Sequence, residues 1–243
     1  MTTRTETLRL HGRAVSNYFN IVRAALIEKG LLHEVVTTPS SQDSAFLALS
    51  PMGKIPLLEV ETGWVSETVA ILEYLDDRYP ATPLRPDDAV LRARGRQLIN
   101  IIQVYLEIPS RNLFSGVFGG GDNPPQTVAA SRAMLDRVTS ALTRLAQPAP
   151  YLLGEAVSQA DLTLFYHLDI ADRVSRFVYD RSIRDEIGGL ETWDALMRER
   201  ASTRIVLAEF DESFAAYLAE HNAAYRDDAP DAAPITPGRL HHA

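Results

Sequence analysis

Four short stretches of this sequence carry residues that could do chemistry. Ser16 stands just before a helix-patterned run and is followed by Asn17 and Tyr18. Its hydroxyl can cap that helix or donate to a ligand there. Glu67 and Thr68 open another helix pattern, where an acid and a hydroxyl either cap the first turn or hold the charged ends of a ligand. Lys54 stands out because lysine occurs only at Lys29 and Lys54, arginine supplying the other basic side chains. Ser158 and Asp161 have the spacing of a capping box, so both are read as structural and Asp161 as no general base.

What is missing narrows the chemistry further. The 243 residues contain no cysteine. Disulfides, thiolate metal sites, a dithiol redox pair and a cysteine nucleophile are therefore excluded, and any thiol must arrive with a ligand. His11, His33, His167 and the histidines of the C-terminal tail lack metal-ligand spacing, so no metal is expected. His11 reads as a strand residue and His167 as a helix residue with a satisfied ring. Gly119-Gly120-Gly121 lacks the lysine and the strand-loop-helix context of a phosphate loop. The net charge of −8 speaks against general nucleic-acid binding, which rests on phosphate neutralisation. No window approaches the ~18 uninterrupted apolar residues of a membrane span. Arg4, Glu6 and Arg9 interrupt the start, so no secretory signal is expected.

The elements that must position these residues divide the chain. Leu8 and Leu10 alternate with polar neighbours as in a short strand, and Asn20–Lys29 reads as a helix with Gly30 as its C-cap. Glu34–Thr38 and Ile55–Val60 read as strands, and Gly63 turns into a fourth strand at Trp64 and Val65. Glu67–Arg78 is helical. Helices between non-hairpin strands imply parallel crossovers, with a hairpin at the end. Prolines 80, 83 and 86 mark a linker, after which strand signals vanish. Residues 89–114 pattern as a helix that Pro109 would kink or end, with Leu91, Leu98, Ile101, Ile102 and Tyr105 as its buried set. Residues 116–125 read as a loop. Helices are expected over 126–146, with a stripe of Met134, Val138, Leu142 and Leu145, and over 158–176, 191–200 and 204–221. The expected organisation is an α/β unit over 1–80, a linker over 81–88, an all-helical unit over 89–225, and a poorly ordered tail over 226–243.

In that order, three motifs resemble the glutathione transferase superfamily. Ser16-Asn17-Tyr18-Phe19-Asn20-Ile21-Val22-Arg23 is similar to the segment where the Ser-type classes (theta, zeta and many bacterial forms) keep a catalytic hydroxyl. Ser50-Pro51-Met52-Gly53-Lys54-Ile55-Pro56, followed by Ser66-Glu67-Thr68, is similar to the glutathione-binding loop and acid-plus-hydroxyl pair, with Thr68 where Ser is commoner. Gly154-Glu155-Ala156-Val157-Ser158-Gln159-Ala160-Asp161 is similar to the folding motif of the helical domain. The resemblance implies a thioredoxin-like N-terminal domain and an all-α C-terminal domain. It implies glutathione as co-substrate, a small-molecule electrophile as second substrate, a homodimer and a cytoplasmic enzyme of detoxification type.

On that resemblance Ser16 is the catalytic hydroxyl, with Asn17 and Tyr18 as alternatives. A free thiol titrates near 8.5, and lowering it by about two units requires about 2.7 kcal/mol. A hydroxyl hydrogen bond and the positive end of the following helix are together of that size. Ile55, ahead of an expected cis Pro56, would offer its main chain to the cysteinyl backbone. Glu67 would accept from the γ-glutamyl ammonium, Thr68 and Lys54 would hold carboxylates, and Gln42 would lie at the glycine end. Tyr18, Tyr105, Arg111, Phe114, Phe118 and Tyr166 are the candidate electrophile pocket, and Glu107-Ile108-Pro109-Ser110-Arg111 resembles a bacterial subgroup at this bend. Peroxide reduction, isomerisation and dehalogenation use the same thiolate. A non-catalytic scaffold on the same fold is the competing class, and it would be expected to lose the hydroxyl and the Glu67-Thr68 pair.

Overall fold

The computed structural model describes residues 8–225, and the tail expected over 226–243 lies outside the described residues. Strand β1 (Leu8–Gly12) buries Leu8 and Leu10 on one sheet face and turns Arg9 and His11 to the other. Helix α1 (Asn17–Glu28) covers the buried face and ends at Lys29, followed by Gly30 at a left-handed φ of +65°. Strand β2 (His33–Thr37) returns parallel to β1. Strands β3 (Leu57–Val60) and β4 (Gly63–Ser66) form the expected hairpin and complete a sheet of order β2-β1-β3-β4.

One topological expectation is corrected. β3 runs antiparallel to β1. β2 ends with Thr37 opposite Gly12, and β3 begins with Leu57 opposite His11. The intervening chain, which carries the one-turn helix α2 (Ser44–Leu47), therefore stays at one end of the sheet and re-enters running back. Helix α3 (Thr68–Arg78) closes the α/β unit.

Beyond it the described residues hold helices: α4 (Ala89–Ile101), α5 (Ile108–Arg111), α6 (Phe114–Phe118), α7 (Pro125–Leu145), α8 (Gln159–Tyr179), α9 (Ile183–Glu186), α10 (Glu191–Glu199) and α11 (Ala201–Glu220). The single helix expected over 89–114 is interrupted ahead of Pro109 by a π-helical segment, Ile102–Glu107, in which the Ile108 N–H reaches back to Gln103 O. Pro109 has no N–H to give, and its ring crowds the preceding turn; the wider turn accommodates both facts. The loop expected from Gly116 begins later, because Val117 and Phe118 bury in α6 against α8 and α11. On α7 the buried stripe is Ser131, Leu135, Val138, Thr139 and Leu142, so Met134 and Leu145 lie at its margin.

Helix α8 is buried around most of its circumference and forms the axis of the molecule. Its start is a closed capping box: Asp161 accepts from the Ser158 N–H at 2.9 Å and from the Ser158 hydroxyl at 2.6 Å. The other Asp161 oxygen accepts from Leu152 N at 2.9 Å and Trp193 Nε1 at 2.8 Å. The carboxylate is thereby fully committed to structure.

A buried ion pair locks the α/β unit onto that axis. Lys29 Nζ donates to Asp76 Oδ1 at 2.6 Å and to Thr82 O at 2.7 Å, and both side chains are 1% exposed. Asp76 also accepts from Leu84 N at 2.9 Å and from Gln159 Nε2 at 2.7 Å. One carboxylate thus joins α1, α3, the linker and the start of α8. Lys29→Met removes the cation and leaves that carboxylate buried. The expected loss is about 3–5 kcal/mol, read as a lower urea midpoint. A change under about 1 kcal/mol would show that the seam does not depend on this pair.

Candidate functional site

A cleft of about 650 Å³ opens between the two units. The α/β side supplies Ser16, Asn17 and Tyr18 at the head of α1, Lys54, Ile55 and Pro56 before β3, and Glu67 and Thr68 at the start of α3. The helical side supplies Glu107, Ile108 and Arg111 with Phe114 and Phe118, closed by Ile170 of α8 and by Phe214 and Tyr217 of α11.

The three residues at the head of α1 have different partners. Ser16 is the N-cap, with extended φ −88° and ψ 117°. Its Oγ accepts from the Phe19 N–H at 3.4 Å, a long bond that leaves the hydroxyl proton for a ligand. Asn17 is buried: Nδ2 lies 2.8 Å from His167 Nδ1, and Oδ1 accepts from Arg111 Nη2 at 3.0 Å and from Tyr18 N at 3.1 Å. Tyr18 donates its hydroxyl to Glu107 Oε2 at 3.1 Å. Burial, and then the charge of Glu107, push the Tyr18 pKa upward, so the phenol stays protonated.

Glu107 is 1% exposed at its side chain and is shared between Tyr18 and the Arg111 guanidinium, with which it pairs through Oε1. The guanidinium carbon stands 4.8 Å from the Phe114 ring centre and 5.4 Å from that of Tyr18. Arg111 is thus a flat cationic plate on the cleft wall, and Glu107 offsets its charge from beneath.

The other side of the cleft is built from backbone as much as from side chains. Ser50 Oγ donates to Lys54 O at 2.8 Å and accepts from Lys54 N at 3.1 Å, which fixes the loop ahead of the cis Ile55–Pro56 peptide. Glu67 is held at φ +70°, a region a glutamate rarely adopts, while Thr68 is buried and donates to Tyr18 O at 3.4 Å. Such a conformation survives only where neighbours impose it, and here it places Glu67 on the cleft wall.

Three expected site residues lie elsewhere. Gln42 is outside the lining and donates to Met52 O at 3.4 Å, bracing the loop at Gly53. Tyr105 is 43% exposed and lines a separate groove with Ile101, Met134 and Val138, so it belongs neither to the cleft nor to the buried set. The π-helical turn gives the reason: Leu106 and Glu107 are the consecutive buried residues there, and Tyr105 is carried to the outer face. Tyr166 is 3% exposed and packs edge-on against Phe165 in the core, away from the cleft, which Ile170 of the same helix reaches.

Glu107, Ile170, Phe214 and Tyr217 are lining residues that sequence reasoning did not single out. Glu107 and Arg111 have helical i,i+4 spacing, which was a usable signal. Phe214 and Tyr217 read as core on an amphipathic face, and only the docking of α11 turns them to the cleft. The His167 ring is only half satisfied: Nδ1 faces Asn17, but Nε2 is buried without a partner. Burial, and then the nearby Arg111 charge, push its pKa down to about 3. Among the described residues no group of three histidine, aspartate or glutamate side chains could hold a metal ion, and no helix is long and apolar enough to cross a membrane.

Comparisons with known proteins bear on this geometry. The family described as "Glutathione S-transferase, N-terminal domain" matches residues 10–83. A glutathione S-transferase of Pseudomonas putida is 35% identical over 211 residues, covering 87% of this chain and 96% of that one. A maleylacetoacetate isomerase of Dictyostelium discoideum is 30% identical over 155 residues, covering 59% of this chain and 69% of that one. Among solved structures, a glutathione S-transferase from Rhodospirillum rubrum superposes with a TM-score of 0.68 at 27% identity, covering 83% and 92% of the two chains.

The buried histidine makes stability depend on pH. Its pKa falls from 6.5 to about 3 on folding. Between those values the unfolded chain binds a proton that the folded protein refuses. The contribution is therefore complete above the unfolded value and is lost, by about 1.4 kcal/mol per pH unit, as pH falls through the window. Urea unfolding at about pH 7 and about pH 4.5 should show a shallower dependence in His167→Asn than in the parent. Equal slopes would contradict a neutral His167.

Proposed function

The chain belongs to the glutathione S-transferase family, and from that premise we propose that Ser16 ionises the thiol of bound glutathione in the cleft. The enzyme transfers glutathione to an electrophilic small molecule. The observation that carries the assignment to Ser16 is how its neighbours are occupied: the Tyr18 hydroxyl is given to Glu107, and the Asn17 amide is divided between His167 and Arg111. Of the two hydroxyls, that of Ser16 has no acceptor among the described residues, and the buried Asn17 amide is turned toward His167 and Arg111.

In this reading the thiol proton leaves to solvent and the Ser16 hydroxyl donates to the sulfur anion. The N-terminal end of α1 adds its partial positive charge. The thiolate then attacks the electrophilic carbon, forming a C–S bond as the bond from that carbon to its leaving group breaks and the leaving group departs with the electron pair. Ile55 offers its main chain to the peptide, Glu67 accepts from the ammonium, and Thr68 and Lys54 hold carboxylates. Arg111, Phe114, Phe118 and Tyr18 face the electrophile, joined by Phe214 and Tyr217. Isomerisation by addition and release of the same thiolate is a second reading, favoured by the Dictyostelium relative's name. A panel of electrophiles, peroxides and cis-enones assayed with glutathione separates these activities. We assign residues 1–80 to the glutathione-binding domain, 81–88 to the linker and 89–225 to the helical domain, and place the enzyme in the cytoplasm.

A homodimer completes the proposal. Val104 and Tyr105 expose apolar surface on the helical unit, and Trp64 does so on the α/β unit. A second copy of the chain would cover them. Light scattering at micromolar concentration should give twice the 26.9 kDa chain mass. The mass of one chain would count against it.

The assignment of the site is tested by three variants. Ser16→Ala should lower turnover roughly ten- to a hundredfold with nearly unchanged glutathione affinity, because the lost bond is made chiefly to the ionised sulfur. Ultraviolet titration should show the bound thiol pKa raised. Tyr18→Phe should leave that pKa in place, since its hydroxyl is committed to Glu107. Glu67→Ala should weaken glutathione binding by roughly tenfold or more in calorimetry, the loss of one charge-assisted bond. A thiol pKa that ignores Ser16→Ala and follows Tyr18→Phe would overturn the assignment.

A further inference from the structure

The Asn17 amide has no freedom in how it faces. Its Oδ1 lies 3.0 Å from Arg111 Nη2 and 3.1 Å from the Tyr18 backbone nitrogen, and both of those groups can only donate. The oxygen must face them. The amide NH2 therefore faces His167, with Nδ2 at 2.8 Å from Nδ1. An amide nitrogen can only donate as well, so Nδ1 is the bare acceptor and the neutral ring carries its proton on Nε2. That proton is buried without a partner. An unpaired buried N–H is rare enough to need a reason, and here the reason lies at the other end of the ring.

Arg111 is gripped from two elements. Glu107 pairs with its guanidinium along the helix, and Asn17 takes Nη2 from the head of α1. Together the two contacts fix the plane of the group as well as its place, over Phe114 and beside Tyr18. Nη1 has no protein partner among the described residues, and Arg111 lines the cleft. A second substrate with an acceptor oxygen can use it.

We infer that His167 is a positioning residue: acting through Asn17, it aims Arg111 at the second substrate and so sets affinity for the electrophile and not for glutathione. The inference rests on the transferase reading for its kinetic consequence but not for its structural one. His167 does not itself line the cleft; it meets the lining residues Asn17, through that amide, and Tyr18, whose ring centre is 4.7 Å away.

The test has a spectroscopic and a kinetic arm. ¹⁵N NMR of the folded protein at neutral pH, with His167 assigned through its loss in His167→Asn, should show Nδ1 bare and Nε2 protonated. An Nδ1–H ring or an imidazolium would overturn the inference. In steady-state kinetics His167→Leu should raise the electrophile KM roughly tenfold and move the glutathione KM by less than about twofold. His167→Asn, which returns an acceptor near the Nδ1 position, should recover most of that loss. In an Arg111→Met background His167→Leu should have no further effect, because the residue through which it acts is gone. An equal rise in both KM values, or a full effect in the Arg111→Met background, would mean that His167 is merely structural. Should His167→Leu fail to fold, the tautomer and the His167→Asn kinetics decide. Should the parent transfer glutathione to nothing, the functional reading and the kinetic consequence fail together, while the tautomer still decides whether His167 orients Asn17 against Arg111.

Discussion

The buried carboxylate of Asp76 is the constraint on which the rest of this structure leans. It takes a hydrogen bond from the ammonium of Lys29, one from the linker at Leu84 and one from Gln159 at the head of α8. A charge this deep is tolerable only when it is paired and hydrogen-bonded, so four segments far apart in sequence must meet at one point. Their meeting holds α1 against α8. Two further clamps tie α1 to α11: Glu28 pairs with Arg200 at its N-cap, and Arg23 pairs with Glu209 within it.

The cleft is a consequence of that seam. α1 presents its N-terminus at the mouth, and α8 passes behind it close enough for His167 to reach Asn17. Water cannot satisfy polar groups at this depth, so the side chains satisfy one another. Tyr18, Asn17, Glu107 and Arg111 form a linked set of hydrogen bonds in which Nη1 of Arg111 has no protein partner among the described residues. Ser16, one residue outside the set, keeps its hydroxyl unspent. Which of these side chains are engaged follows from what the helical unit can reach: Glu107 takes the Tyr18 hydroxyl, and Arg111 and His167 take the Asn17 amide.

Much of this was legible before folding. The break at prolines 80, 83 and 86, the loss of strand signals after it, the Ser158–Asp161 box and the ordered motifs at Ser16, Lys54–Pro56 and Glu67–Thr68 are all local patterns, and local patterns survive in a linear text. The direction of β3 was not legible, because strand direction depends on which end of the sheet a connection occupies. Nor was the π-helical turn ahead of Pro109, which exchanges Tyr105 for Glu107 at the cleft. A period of 3.6 residues assumes a regular helix, and one extra residue in a turn moves every later side chain to another face.

What the chain determined by itself was therefore the inventory: two kinds of unit, a hydroxyl at one helix start, an acid and a hydroxyl at another, no thiol of its own, and a net acidic charge. Only the tertiary structure decided which of the Ser16 and Tyr18 hydroxyls is already given to an acceptor, that Glu107 belongs with them, and that Tyr166 does not. The physical reason is that a polar side chain's availability is a property of its neighbours. Asn17 and His167 are 150 positions apart, and no local signal in the sequence couples them. Burial forces that coupling, because a group removed from water takes whichever partner the packing brings within reach.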